Sequence, residues 1–436
     1  MKLLEQICML DYSGTLPSSF LEVRQDFDAP RIRDISRRVQ SALQEGKILN
    51  QMRKGDSVAV ALGSRGIANI AEIAKSTIDC LRLAGLKPFV VPAMGSHGGA
   101  RANGQKEVLS HLGITTQTVG AEIRASMEVK EIGKIDGGPS LFQGAASAEA
   151  DHTLLVNRIK PHTAFRGKLE SGLAKMEVIG LGCQRGASLM HNLGIPAFQK
   201  FLGPSARIYE KNSNVVGGVA ILENAYEETA QISGLSKTEI GTTKESDLLR
   251  KAAKLMPSLP FPEIEVLGVR QVGKNISGTG MDPNIIGRLM IPRQPEEFGG
   301  PDIAIITVFD LTKATGGNAN GIGLANVVTS RVVNKIDWKA TYTNALTAGI
   351  LGMQRSSLPL TAPDDRSALQ ISIRNCGHSP EEARVVLVQD TLTLDRLWVS
   401  ETLRTLVDEH PRLKIVRKIP LSFSSNGSLY SPWDLR

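Results

Sequence analysis

Five residues of this chain have the types and settings of chemistry rather than packing: Arg65, His97, His162, Lys175 and His191. Lys175 and His191 lie sixteen residues apart in SGLAKMEVIGLGCQRGASLMH, and His162 precedes them in NRIKPHTAFRGKLE. Phe165, Leu169 and Leu173 recur every four positions, which predicts a short helix over 164–176 with Lys168 and Lys175 on one face. Gly180, Gly182 and Gly186 are expected to break that helix before a last turn carries His191. A lysine on a helix, with a histidine returned to it by a glycine-rich loop, suits a cofactor site better than a core. His97 and His162 add imidazoles, the usual equipment for proton transfer or metal binding. Arg65 adds a guanidinium able to hold a carboxylate or phosphate bidentately. Each residue taken alone reads equally well as a solvated loop side chain. Their joint placement is what carries weight.

That placement follows from the elements around them. SVAVALG (57–63) reads as a buried strand, followed by the turn Gly63-Ser64-Arg65-Gly66. A helix then shows Ile67, Ile70, Ala74, Ile78 and Leu81 on one face and ends at Gly85. KPFVVPAMG is a second strand, SHGGAR a loop, and 103–112 a second helix. HTLLVNRI (152–159) is a further strand with His162 just beyond its end. In open parallel sheets ligands bind beyond the carboxyl ends of strands. Arg65, His97 and His162 each follow such an end, so all three should face one crevice. His111, His152, His378 and His410 lie in or beside regular elements and read as structural.

Further along, 214–225 reads as a strand and 244–256 as a helix, and MPSLPFPE (256–263) is the best linker. Beyond it, a second set of strands and helices contains two glycine-rich loops, 273–280 and 314–323, able to cradle a phosphate through backbone N–H groups. A helix is expected over 324–336, and the tail from Ser422 is expected to pack back on the first domain. The fold expected is α/β: two α/β domains with mainly parallel sheets, over 1–258 and 259–436, and an active-site cleft between them. A chain of 436 residues favours two cores.

Composition narrows the function. Aromatics at 4% are too sparse for a base-stacking surface, and the net charge of +7 is scattered rather than blocked. Together these point to small anions rather than nucleic acid. The four cysteines (Cys8, Cys80, Cys183, Cys376) form no CxxC pair, which argues against a zinc ribbon or a disulfide framework. No apolar run approaches the ~18 residues a membrane span needs, and a cytoplasmic protein without membrane partners is expected.

Arg65 after a strand, GSHGGAR with His97, PHTAFRG with His162, and SGLAK with Lys175 sixteen residues before His191 together resemble the nickel-dependent lactate racemase superfamily over about 55–200. The resemblance implies an isomerase, a racemase or epimerase of a 2-hydroxy acid. It also implies a nickel pincer nucleotide (pyridinium-3,5-bisthiocarboxylic acid mononucleotide) joined covalently to Lys175, with His191 as a nickel ligand. Gly95, Ser96 and Lys274 would also face the cofactor, Arg65 would hold the substrate carboxylate, and His97 and His162 would be the two bases. Cofactor-biosynthesis enzymes would be partners. The chain departs from the family pattern at Leu62, and at Ile285, Ile286, Gly287 and Met290 in the segment that begins at Asp282. These are substrate-side positions, so a larger 2-hydroxy acid such as a sugar acid is expected in place of lactate. The competing reading is a non-catalytic binding protein for a nucleotide or acidic metabolite. A conventional metal hydrolase is disfavoured because there is no HExxH.

Overall fold

A computed structural model describes residues 2–290, 296 and 299–430. The chain forms two compact units, one of Asp28–Met256 and one that joins Met1–Phe27 to Pro257–Arg436. Both are α/β with mainly parallel strands.

The 28–256 unit contains β1 (Ser57–Leu62), β2 (Lys87–Pro92), β3 (Val129–Lys134), β4 (Ser140–Gly144), β5 (His152–Arg158), β6 (Val215–Glu223) and β7 (Thr229–Ser236). The main sheet runs β2-β1-β5-β6-β7, parallel except for β7, and β3–β4 is a separate hairpin. Both faces of the sheet are covered. Val58, Val60 and Leu62 enter one core with Leu154 and Val156, while Ala59, Ala61 and Leu155 enter the other. That explains why these strands read as unbroken apolar runs rather than alternating ones.

Register then does the functional work. Leu62 pairs with Pro92 on one side and with Val156 on the other, so β1, β2 and β5 end level. Their loops leave from a single edge. The expected helices after β1 and β2 are found at Ile70–Leu83 and Ala102–His111.

The other unit is built on an eight-stranded mixed sheet, in which 360–362, 327–329, 302–311, 263–272 and 385–388 are parallel. It corrects three expectations. First, the opening residues do not belong with the 28–256 unit. Ser19–Gln25 is a strand inserted between Arg396–Val399 and Leu413–Pro420, antiparallel to both. Phe20, Leu21 and Val23 are buried there, and buried Glu22 accepts from Arg396 and from Arg417 (2.7 Å). Second, the described part of the tail packs on this same unit: Leu429 is buried and its N–H donates to Asp365 Oδ2 at 2.9 Å. Residues 431–436 lie outside the described residues. Third, the helix expected over 324–336 is cut short. Val327–Thr329 pairs as a strand, and only Ser330–Lys335 is helical. β-Branched Val327, Val328 and Thr329 favour the sheet once partner strands stand on both sides.

Phe20→Ala is therefore expected to cost ~3–5 kcal/mol of stability. Hydrogen exchange should quicken in the strand Glu263–Val272 and not in β5.

Candidate active site

The edge where β1, β2 and β5 end carries the chemistry. After β1, Ser64 Oγ makes a short hydrogen bond to Nδ1 of His97. Arg65 lies beside it, and the only charged neighbour that shifts it among the described residues is Arg158, itself paired with Glu223. Arg65 thus has positive charge to offer an anion.

After β2, the His97 loop is clamped onto the following helix. A Cβ on Gly104 would come within 2.0 Å of the Gly98 carbonyl oxygen, so only glycine permits this approach. Buried Gln105 donates to the carbonyls of Gly95 (3.0 Å) and His97 (3.3 Å), which holds the loop from below.

After β5, the chain makes an excursion closed where Lys160 N–H meets Ser171 O at 3.1 Å. No helix forms over 164–172, contrary to the apolar spacing. The buried Glu170 carboxylate organises the loop instead, accepting from His162 N–H (2.6 Å), Gly167 N–H (3.1 Å) and Arg166 (3.3 Å). Helix begins only at Leu173–Lys175 and continues as π-helix over Met176–Leu181, then as α-helix over Cys183–Asn192. The glycines expected to end the helix lie within or between these segments. Gly180 is needed for packing: a Cβ there would meet the Ala93 carbonyl oxygen at 2.6 Å. Two successive helical segments, broken at Gly182 and the left-handed Cys183 (φ 51°), therefore carry Lys175 and His191, with Lys175 at the entry to the π segment. Such segments are frequent at functional sites.

The lysine and the histidines are coupled. Lys175 Nζ lies 2.7 Å from Nε2 of His162. On its other side the His162 ring accepts the Ala164 N–H at Nδ1, 3.0 Å away. A neutral ring whose Nδ1 accepts must carry its hydrogen on Nε2. In that tautomer Nζ is placed as the acceptor. A ladder of rings links the two histidines: His162–Phe165 at 4.4 Å, Phe165–Phe198 at 5.2 Å and Phe198–His191 at 5.1 Å between centroids.

Electrostatics shifts Lys175, His97 and His191 toward their neutral forms. Burial, the Arg65 charge and then Lys175 and His191 push His97 down to about 4. Burial and Lys175 push His191 to about 4. Lys175 falls to about 8 through burial and Arg65, partly opposed by Glu170. Solvent still reaches Arg65, His97 and His191. The charges of Arg65 and Lys175 reach their neighbours' protonation, so these groups lie near one another at the strand ends.

Arg65, His97, His162, Lys175 and His191 are thus brought together. Gly95 is buried at the foot of the His97 loop, its N–H on Gly180 O at 3.3 Å, and Ser96 is exposed in that loop. Lys274 lies in the other unit, where its ammonium donates to the carbonyls of Gly278 (2.7 Å) and Asn320 (2.9 Å). In the 273–280 loop the amides of Gly273, Ile276, Ser277 and Gly280 donate within the loop, as from Gly273 to Gly280 O at 2.9 Å, and that of Lys274 donates to Thr315 Oγ1 at 3.1 Å. Ile285 and Ile286 are buried, and Asp282 caps their short helix through Asn284 N–H at 3.0 Å. Sequence reasoning missed Ser64, Glu170 and the Ala164 amide. Ser64 adjoins Arg65 in the flagged turn, and Glu170 lies within the flagged stretch, but nothing in the spacing marks either as a partner of a histidine.

No family model and no curated protein matches the chain. Among solved structures it is similar to the lactate racemase apoprotein of Thermoanaerobacterium thermosaccharolyticum, at TM-score 0.47 and 8% identity over 86% of this chain and 96% of that one. It is also similar to a Thermotoga maritima protein from structural genomics, at TM-score 0.43 and 13% identity over 63% and 70%. Overlaps this loose carry no argument about activity.

With His97 at about 4 when folded and near 6.5 when unfolded, the unfolded chain binds more protons between those values, so His97 lowers stability as pH falls through that window. Its ring signals in NMR are expected to stay those of neutral imidazole down to about pH 5.

Proposed function

We propose that this protein is a racemase or epimerase of a 2-hydroxy acid that works by hydride transfer with a lysine-anchored nickel pincer nucleotide. The observation that carries the reading is the contact of Lys175 with His162, within electrostatic reach of His97, His191 and Arg65. The residues fit such a group. Among the described residues no three His, Cys, Asp or Glu side chains cluster to hold a metal, so a metal here needs donors that arrive with a cofactor. His191, neutral above pH 5, is available as one further ligand. Lys175 would be the anchor. Once bound, the group supplies a hydride acceptor for the substrate's α-hydrogen.

The chain's own residues then have distinct tasks. Arg65 holds the substrate carboxylate, charge against charge in a partly desolvated setting. His97, with Ser64 on Nδ1, is kept neutral and accepts the hydroxyl proton at Nε2. The opposite enantiomer presents its hydroxyl on the other side, where His162 handles the proton. Buried Phe165 and Phe198 back the rings of His162 and His191 and exclude water there. The departures from the family pattern at Leu62, Ile286, Gly287 and Met290 favour a substrate other than lactate, of the larger sugar-acid kind. Enzymes that build the nucleotide would be its cellular partners, and no helix of the described residues is long and apolar enough to cross a membrane.

Protein made beside the cofactor-building enzymes, given an α-deuterated 2-hydroxy acid, should interconvert the enantiomers with the deuterium retained. Wash-out of the label into water would sink the hydride route. Lys175→Ala should abolish turnover, and His97→Ala should lower kcat ~10²–10⁴-fold.

A further inference from the structure

We infer that His162 and the Ala164 backbone amide hold Lys175 as a neutral amine, making it a lysine that acylates itself, and that acylation in turn releases His162 to the substrate. The inference rests on the isomerase reading for its purpose but on hydrogen-bond geometry for its content.

Ala164 N–H occupies Nδ1 of His162 at 3.0 Å, which leaves the ring hydrogen on Nε2. An ammonium on Lys175 would turn a proton toward that hydrogen across 2.7 Å, so the arrangement admits only the uncharged amine. Every charged group that shifts Lys175 can be named. Arg65 opposes a second positive charge nearby, while Glu170 favours one but is spent on the His162 and Gly167 amides and on Arg166. The imidazoles of His97 and His191 add no compensating negative charge. The same segment is built to resist displacement, because buried Glu245 accepts the Ala174 N–H at 3.1 Å and the Gly241 N–H at 2.8 Å.

Rotation about the Cδ–Cε bond frees the Nζ lone pair. The partner it suits is an activated acyl or thioacyl carbon bearing a good leaving group. The N–C bond forms, the bond to the leaving group breaks with its electron pair, and the surplus amine proton goes to water. The product is an amide nitrogen, which accepts no hydrogen bond. His162 Nε2–H then loses Lys175 as its acceptor. One histidine thereby serves anchoring first and proton handling afterwards, and cannot serve both at once.

The test uses the full chain made without cofactor-building enzymes, with trace acetic anhydride at pH 7 as probe and acetylation of each lysine quantified by mass spectrometry. An ordinary lysine is neutral in roughly one molecule in 2,500 at that pH. Lys175 should react about tenfold faster than the median lysine of the chain, or more. His162→Gln, which keeps an N–H donor near the same place, should retain most of that advantage, and His162→Ala should lose it. An unexceptional Lys175 in the native chain, or an unchanged rate in His162→Ala, would overturn the inference. If the alanine variant misfolds, long-range ¹⁵N NMR of the native chain still decides: an Nε2–H tautomer at His162 supports the inference and an Nδ1–H tautomer refutes it. The isomerase reading fails separately, on turnover that washes out the α-hydrogen.

Discussion

A neutral imidazole has one N–H to place, and in this protein the main chain decides where it goes. The Ala164 amide takes Nδ1 of His162, which turns Nε2 toward Lys175 Nζ at 2.7 Å. Much of the surrounding structure maintains that contact. The loop returns on itself at Lys160 and Ser171, and Glu170 pins its interior from a buried position. A buried carboxylate accepting several N–H bonds is costly to disturb, since each bond left unmade costs about 1–3 kcal/mol.

Below the lysine lies a second layer of acid groups that solvent does not reach. Glu245 satisfies an amide at the start of the Leu173–Lys175 helix, where no intrahelical acceptor exists. Glu177, two residues past Lys175, is buried beside Glu245, and burial and that like charge raise its pKa well above the usual range. Tyr209 donates to the Glu177 carbonyl at 2.7 Å and ties the π segment to the long helix Ile195–Asn212. Burial pushes the Glu177 and Glu245 carboxyls toward their protonated forms, whereas Arg65 brings positive charge near Lys175. Burial, with Arg65 acting on His97 and Lys175 and Lys175 acting on His191, pushes these groups toward their neutral forms, and Glu170 opposes the shift at Lys175.

Much of the frame was legible in the residues. SVAVALG and HTLLVNRI could hardly be anything but buried strands, and the glycines and the turn after Leu62 placed Arg65 and His97 at strand ends. What misled was periodicity without length. Phe165, Leu169 and Leu173 have helical spacing, yet their apolar faces are used by a loop wound around a carboxylate, and Phe165 stacks on Phe198. The strand Ser19–Gln25 was invisible for a related reason. Its pairing partners lie some 370 to 400 residues later, and local sequence does not record long-range pairing.

The sequence by itself determined which groups were available and at which edge they would emerge, because strand, turn and helix signals are local and parallel βαβ units put their loops on one side. Protonation was decided only by the tertiary structure. Whether His162 donates or accepts depends on an amide two residues away, and whether Lys175 is charged depends on Arg65 from another strand and on burial by the whole unit. Those are through-space effects, set by distance and by exclusion of water, and no spacing along the chain encodes them.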